Sequence, residues 1–136
     1  VDLIAEQIRI GLGEPLGYNQ DDITFEGLGI EYRLIAEDPD KNFTPWVGRI
    51  ERFGWKEQPW LTMLTHVPTT EPYEIPTEFD PNLALAIIWG KDLEEAKARG
   101  LEFLRDLRLE GHNTAGEELK SNVNFLAANT ERILRF

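Results

Sequence analysis

The stretch Ile30-Glu31-Tyr32-Arg33-Leu34-Ile35-Ala36 alternates as a half-buried strand does. Ile30, Tyr32, Leu34 and Ala36 point one way, and Glu31, Arg33 and Ile35 the other. Just beyond it, Asp38-Pro39-Asp40-Lys41-Asn42 reads as a turn, because Asp, Pro and Asn each favour turn geometry. Val47 to Trp55 and Trp60 to Val67 then predict two more strands, joined by Lys56-Glu57-Gln58-Pro59 as a polar hairpin connection. The proline-rich run from Pro68 to Pro81 predicts an irregular, exposed excursion. Leu83 to Trp89 is continuously apolar, which fits a buried strand stopped by Gly90.

Helices are expected at both ends of this run of strands. Val1, Ile4, Ala5, Ile8 and Leu12 recur at helical spacing until Gly11, Gly13 and Pro15 end the pattern. Ile23-Thr24-Phe25-Glu26 predicts a short strand before the main one. Asp92 is placed to cap a helix whose Leu93, Ala96, Phe103, Leu104 and Leu107 share a face, weakened by Gly100. Gly111 to Glu118 reads as a polar loop, and Ser121 as the cap of a last helix carrying Val123, Phe125 and Leu126. Strands in one run with helices at the ends predict an α+β domain, mostly antiparallel sheet with flanking helices. Residues 1–136 are expected to form this single domain, excised from a longer chain, since Val1 starts in mid-pattern.

Composition narrows the chemistry. The absence of cysteine from the 136 residues excludes disulfides, cysteine zinc sites, iron–sulfur ligation and thiol catalysis. Fourteen Lys and Arg against 25 Asp and Glu give a formal charge of −11. So acidic a chain is a poor partner for nucleic acid or an anionic membrane surface. No apolar run approaches the ~18 residues of a membrane helix, and a cytoplasmic protein is expected.

No Gly-rich phosphate loop is present, because Gly27-Leu28-Gly29 lies in strand pattern with no helix after it. His66 and His112 lack the spacing of a metal pair, so no metal site is expected and surface or structural roles fit them better. Glu37 and Asp38 are adjacent and would point to opposite faces of a strand, which suits a solvated turn better than paired acid–base work. Glu31 and Arg33, spaced i, i+2, share the polar face of their strand. They are open to two readings: a surface ion pair worth ~0–1 kcal/mol, or an arginine held by a carboxylate and aimed at an anion.

A resemblance bears on that choice. Gly27-Leu28-Gly29-Ile30-Glu31-Tyr32-Arg33-Leu34-Ile35-Ala36-Glu37-Asp38-Pro39 resembles the G-H-A-[IV]-E-x-R-[IL]-x-A-E-D-P signature of biotin carboxylase C-terminal domains. Val1 to Ile10 is similar to the helix that follows the family's catalytic strand, and Gly48-Arg49-Ile50 follows the signature as in the family. Weaker similarity runs through His66-Val67, Ile75-Pro76, Phe79-Asp80 and Gly90 to Lys120-Ser121-Asn122-Val123.

The resemblance implies part of an ATP-dependent biotin carboxylase, serving acetyl-CoA-type acyl-CoA carboxylases or pyruvate carboxylase. It implies biotin on a carrier domain, with ATP and Mg²⁺ bound by an upstream ATP-grasp part, and a carboxyltransferase partner. None of these is expected bound to this piece alone, which should be inactive by itself. It implies that Arg33 contacts the biotin ureido oxygen and favours its enolate-like form, with Glu31 supporting Arg33. Departures are visible: Leu28 stands for His, Gly29 for Ala, and Ile35 for a polar residue. The family's Y-D-S-M-I-G-K-L becomes Phe79-Asp80-Pro81-Asn82-Leu83-Ala84-Leu85-Ala86, with Leu85 in place of lysine. A Gly-rich hairpin that helps bacterial members form homodimers becomes Trp55-Lys56-Glu57-Gln58-Pro59-Trp60-Leu61-Thr62, which argues against the family dimer. The rival reading is a non-catalytic interaction module that retains the fold.

Overall fold

The structure, a computed structural model, describes residues 1–78 and 80–134. Phe79, one position of the resemblance, lies outside the described residues. In chain order the elements are α1 (Leu3–Gly11), β1 (Leu28–Ile35), β2 (Glu37–Asp38), β3 (Thr44–Pro45), β4 (Arg49–Gly54), β5 (Leu61–Thr65), β6 (Tyr73–Glu74), β7 (Asn82–Gly90), α2 (Leu93–Asp106), β8 (Arg108–His112) and α3 (Val123–Ile133). Short 3-10 turns lie at Gln20–Asp22 and Pro39–Lys41.

The alternation of β1 translates directly into burial. Ile30, Tyr32, Leu34 and Ala36 are buried, while Glu31 and Arg33 stay exposed. β1 pairs antiparallel with β7, and β7 with β5, in a three-stranded sheet of order β1-β7-β5. The inner face of this sheet adds Ala84, Ala86 and Ile88 from β7 and Leu61 from β5. A second antiparallel sheet, order β6-β4-β8, contributes Ile50 and Phe53, and β2 and β3 form a short ribbon. Mixed helix and antiparallel sheet is the expected class, built as two principal sheets rather than one.

Helix α2 starts where expected: the Asp92 carboxylate accepts from the Glu95 N–H at 2.9 Å. It packs Ala96, Phe103 and Leu104 onto the inner sheet face. Gly100, expected to weaken this helix, is what lets it approach β1. A Cβ built there would lie 2.5 Å from the Tyr32 hydroxyl and 2.7 Å from its ring. Helix α3 reaches the same side chain, for the Thr130 hydroxyl donates to the Leu126 carbonyl at 2.8 Å and takes the Tyr32 O–H at 3.1 Å. Burial and the Glu131 carboxylate raise the Tyr32 phenol above its ordinary value.

Five sequence expectations need correction. Pro68 to Pro81 is not wholly irregular and exposed, since it contains β6, paired with β4, and the buried Ile75. Ile23 to Glu26 is not a strand; among the described residues no strand pairs with it, and Phe25 is 93% exposed. Lys56 to Pro59 is not a hairpin connection, because β4 and β5 belong to different sheets and the segment bridges them. The Gly111 to Glu118 loop begins with strand residues, as β8 pairs with β4 through His112. The cap position of α3 is Asn122 rather than Ser121. Helix α1 forms as expected, with Asp2 accepting from the Ile4 and Ala5 amides, and none of its residues is buried.

Candidate functional site

The outer face of the first sheet is a short grid. Arg33 stands opposite Leu85 of β7, which stands opposite Leu64 of β5. One row along, Glu31, Ile87 and Thr62 are aligned in the same way. Period-two geometry places Glu31 and Arg33 side by side, and the Arg33 Nε–H donates to Glu31 Oε1 at 2.8 Å. No other described group engages this guanidinium. At 70% and 42% side-chain exposure, the pair contributes little to stability in water; its effect is to fix where the guanidinium points.

Arg33 opens onto a cleft of about 590 Å³. Ile35 and Leu85 contribute apolar surface; His66, Tyr73, Asp80 and Asn82 bring polar groups from β6 and the segments around it. His66 meets the Tyr73 ring edge-on at 5.6 Å. The Asp80 carboxylate accepts from the Asn82 N–H at 2.9 Å, which fixes the entry to β7 beside Arg33. Asn82 Oδ1 is buried there and has no hydrogen-bond partner among the described residues. Leu85, at the position where the resemblance has lysine, leaves Arg33 as the cation lining the cleft alongside a single imidazole.

Both sequence-predicted site residues, Glu31 and Arg33, are thus brought together. Asp80 and Asn82 entered the sequence reading only through the resemblance and Tyr73 not at all, while His66 was given a surface or structural role; it is exposed and also lines the cleft. Glu37 and Asp38 stay apart from it, and burial raises the Glu37 carboxyl above its ordinary value. His112 lies on β8, 3.9 Å from Glu51. Among the described residues no three His, Asp or Glu side chains could hold a metal ion, and no helix is long and apolar enough to cross a membrane.

The antiparallel α+β fold agrees with the comparisons to known proteins. The family model for the biotin carboxylase C-terminal domain matches residues 31–132. The chain is 40% identical over 111 residues to the chloroplastic biotin carboxylase of Arabidopsis thaliana, covering 82% of this chain and 20% of that protein. It is 37% identical over 132 residues to the biotin carboxylase of Nostoc sp., covering 95% and 29%. Among solved structures, the biotin carboxylase domain dimer of Hydrogenobacter thermophilus 2-oxoglutarate carboxylase, in complex with MgADP, ADP and bicarbonate, superposes with a TM-score of 0.85 at 32% identity. That match covers 100% of this chain and 29% of the other. The chain belongs to the biotin carboxylase C-terminal domain family. It spans between a fifth and a third of the length of these relatives.

Proposed function

We propose that this chain serves as the C-terminal domain of an ATP-dependent biotin carboxylase and lends Arg33 to the biotin site. The observation that carries this reading is the Arg33 guanidinium, held by Glu31 through Nε and otherwise directed at no described group, beside apolar cleft surface. Biotin supplies a ureido ring, one nitrogen of which takes up the carboxyl group. Arg33 is permanently charged, and its fixed fork of donors suits an oxygen that gains negative charge. Glu31 orients that fork. Ile35 and Leu85 would help exclude water from it once a partner covers the cleft, which would strengthen the interaction.

ATP and Mg²⁺ belong to the rest of such an enzyme in this reading, since the described residues offer neither a phosphate-binding loop nor a metal cluster. The biotin would arrive on a carrier domain and leave for a carboxyltransferase. The parent enzyme would be an acyl-CoA carboxylase of the acetyl-CoA type or a pyruvate carboxylase, located in the cytoplasm. Residues 1–136 would form one domain of its longer chain. The competing reading is a non-catalytic module that keeps the fold, and the replacement of lysine by Leu85 is the observation in its favour.

Nucleotide turnover by the full-length protein separates the two. With MgATP and bicarbonate present, adding free biotin is expected to accelerate ADP release several-fold. Turnover indifferent to biotin would select the non-catalytic reading.

A further inference from the structure

β1 is an edge strand, so its outer peptide groups have no neighbouring strand to bond. Its ladder with β7 is also least regular beside the arginine: Leu34 pairs with Ala84 but Ile35 pairs with Asn82, leaving Leu83 as a bulge. The next residue, Ala36, is held by backbone bonds to Pro81 and Trp46 at 3.0 and 2.9 Å, but the outward peptide groups of Arg33 and Ile35 need partners of their own. Three hydrogen bonds from one residue close the gap. The Asn122 Nδ2 donates to the Arg33 carbonyl at 2.9 Å, Asn122 Oδ1 accepts from the Ile35 N–H at 3.0 Å, and the Asn122 N–H donates to the Ile35 carbonyl at 3.1 Å. The side-chain amide thereby stands in for the peptide of a neighbouring strand.

A purely local role for Asn122 does not account for this. It occupies the cap position of α3, where an Asn side chain ordinarily accepts from the first helical amides. Here its side chain makes no capping bond and is spent on β1 instead. It is 5% exposed, so its amide has no water to fall back on.

We propose that Asn122 is a positioning residue for Arg33: it fixes the Arg33 peptide from the strand edge while Glu31 fixes the guanidinium. This rests on the reading of Arg33 given above. Arg33 has a long, exposed side chain, so a small tilt of its peptide is magnified at the guanidinium. Misplacement by about 1 Å can cost on the order of 10²-fold in rate.

The test is a double-mutant cycle in the full-length protein, measuring kcat and KM for carboxylation of free biotin at saturating MgATP and bicarbonate. Asn122→Ala is expected to lower kcat roughly 10–100-fold, and a separate titration of MgATP at fixed biotin is expected to give an unchanged KM for ATP. In the Arg33→Ala background the same change should cost less than about twofold, because there is no guanidinium left to misplace. Equal losses in both backgrounds would show a general structural role and overturn the proposal. If Asn122→Ala does not fold, Asn122→Asp preserves the acceptor for Ile35 and removes the donor to Arg33, and the same cycle applies. Arg33→Ala impaired with Asn122 variants at wild-type rate overturns the positioning role alone. Arg33→Ala at wild-type rate overturns the role of Arg33 and this inference together.

Discussion

Replacing Gly100 by alanine tests how closely α2 is seated on the strand that carries Arg33. On an exposed helix the change would stabilise by about 1 kcal/mol, since glycine is the costlier helical residue. Here the new Cβ would meet the Tyr32 hydroxyl at 2.5 Å and two ring carbons at 2.7 and 2.9 Å. Forcing a methyl into a filled core costs about 1–3 kcal/mol. Displacing the tyrosine also weakens its bond to Thr130, about 1 kcal/mol more. Against the propensity gain, the net is a loss of about 1–3 kcal/mol. Urea unfolding followed by tryptophan fluorescence reads this as a lower midpoint at unchanged slope. In a Tyr32→Phe background the nearest atom is gone, and the cost of Gly100→Ala is expected to fall by about 1 kcal/mol. A midpoint that rises on Gly100→Ala alone would refute the close packing of α2 on β1.

Stability should fall at alkaline pH. The Glu94 carboxylate, 2.6 Å from the Lys97 Nζ, raises that ammonium despite its burial, with Glu131 adding to it, and the Tyr32 phenol is raised as well. Both groups hold their protons more tightly folded than unfolded, so their contribution is intact below about pH 10 and is lost as pH rises through the folded values. The urea midpoint is expected to decline above about pH 10, less steeply in Tyr32→Phe; a rising midpoint would contradict the assignment. This chain alone is expected to show no Mg²⁺-dependent, stoichiometric binding of ATP by calorimetry, and a micromolar complex would overturn that. Trp55 packs on Phe53 at 5.4 Å and Trp60 lies under Arg99 at 5.6 Å, both folded back on the domain. The segment 55–63 is therefore not expected to mediate self-association, and a structure of the full-length protein pairing it across a two-fold axis would disprove this.

Strand β1 was legible because seven residues in a row alternate and both faces keep their chemistry in the fold. The same alternation put Glu31 next to Arg33, a contact that needs only neighbours on one strand. Ile23 to Glu26 shows the limit of pattern alone: four alternating residues are a strand only if a partner edge is at hand. The link from β4 to β5 misled for a related reason. Two strands close in sequence pair by default, but these bury their apolar residues in different sheets. The rest of the site is long-range. Tyr73, Asp80 and Asn82 lie in or beside a proline-rich segment whose sequence has no periodicity to interpret, and Asn122 reaches Arg33 across 89 residues of chain. Gly100 was misjudged because propensity describes a helix in water, and here the helix meets a tyrosine.

The most direct measurement is the formation of carboxybiotin from radiolabelled bicarbonate by the full-length protein, comparing wild type with Arg33→Ala and Arg33→Lys. Arg33→Ala is expected to lower the rate by roughly 10²–10³, the effect of losing one donor to a developing negative charge, while the unfolding midpoint stays nearly unchanged. Arg33→Lys should recover only part of the rate, because an ammonium lacks the planar fork that Glu31 orients. Carboxybiotin formed by Arg33→Ala at the wild-type rate would contradict the account and leave Arg33 as a strand-surface charge.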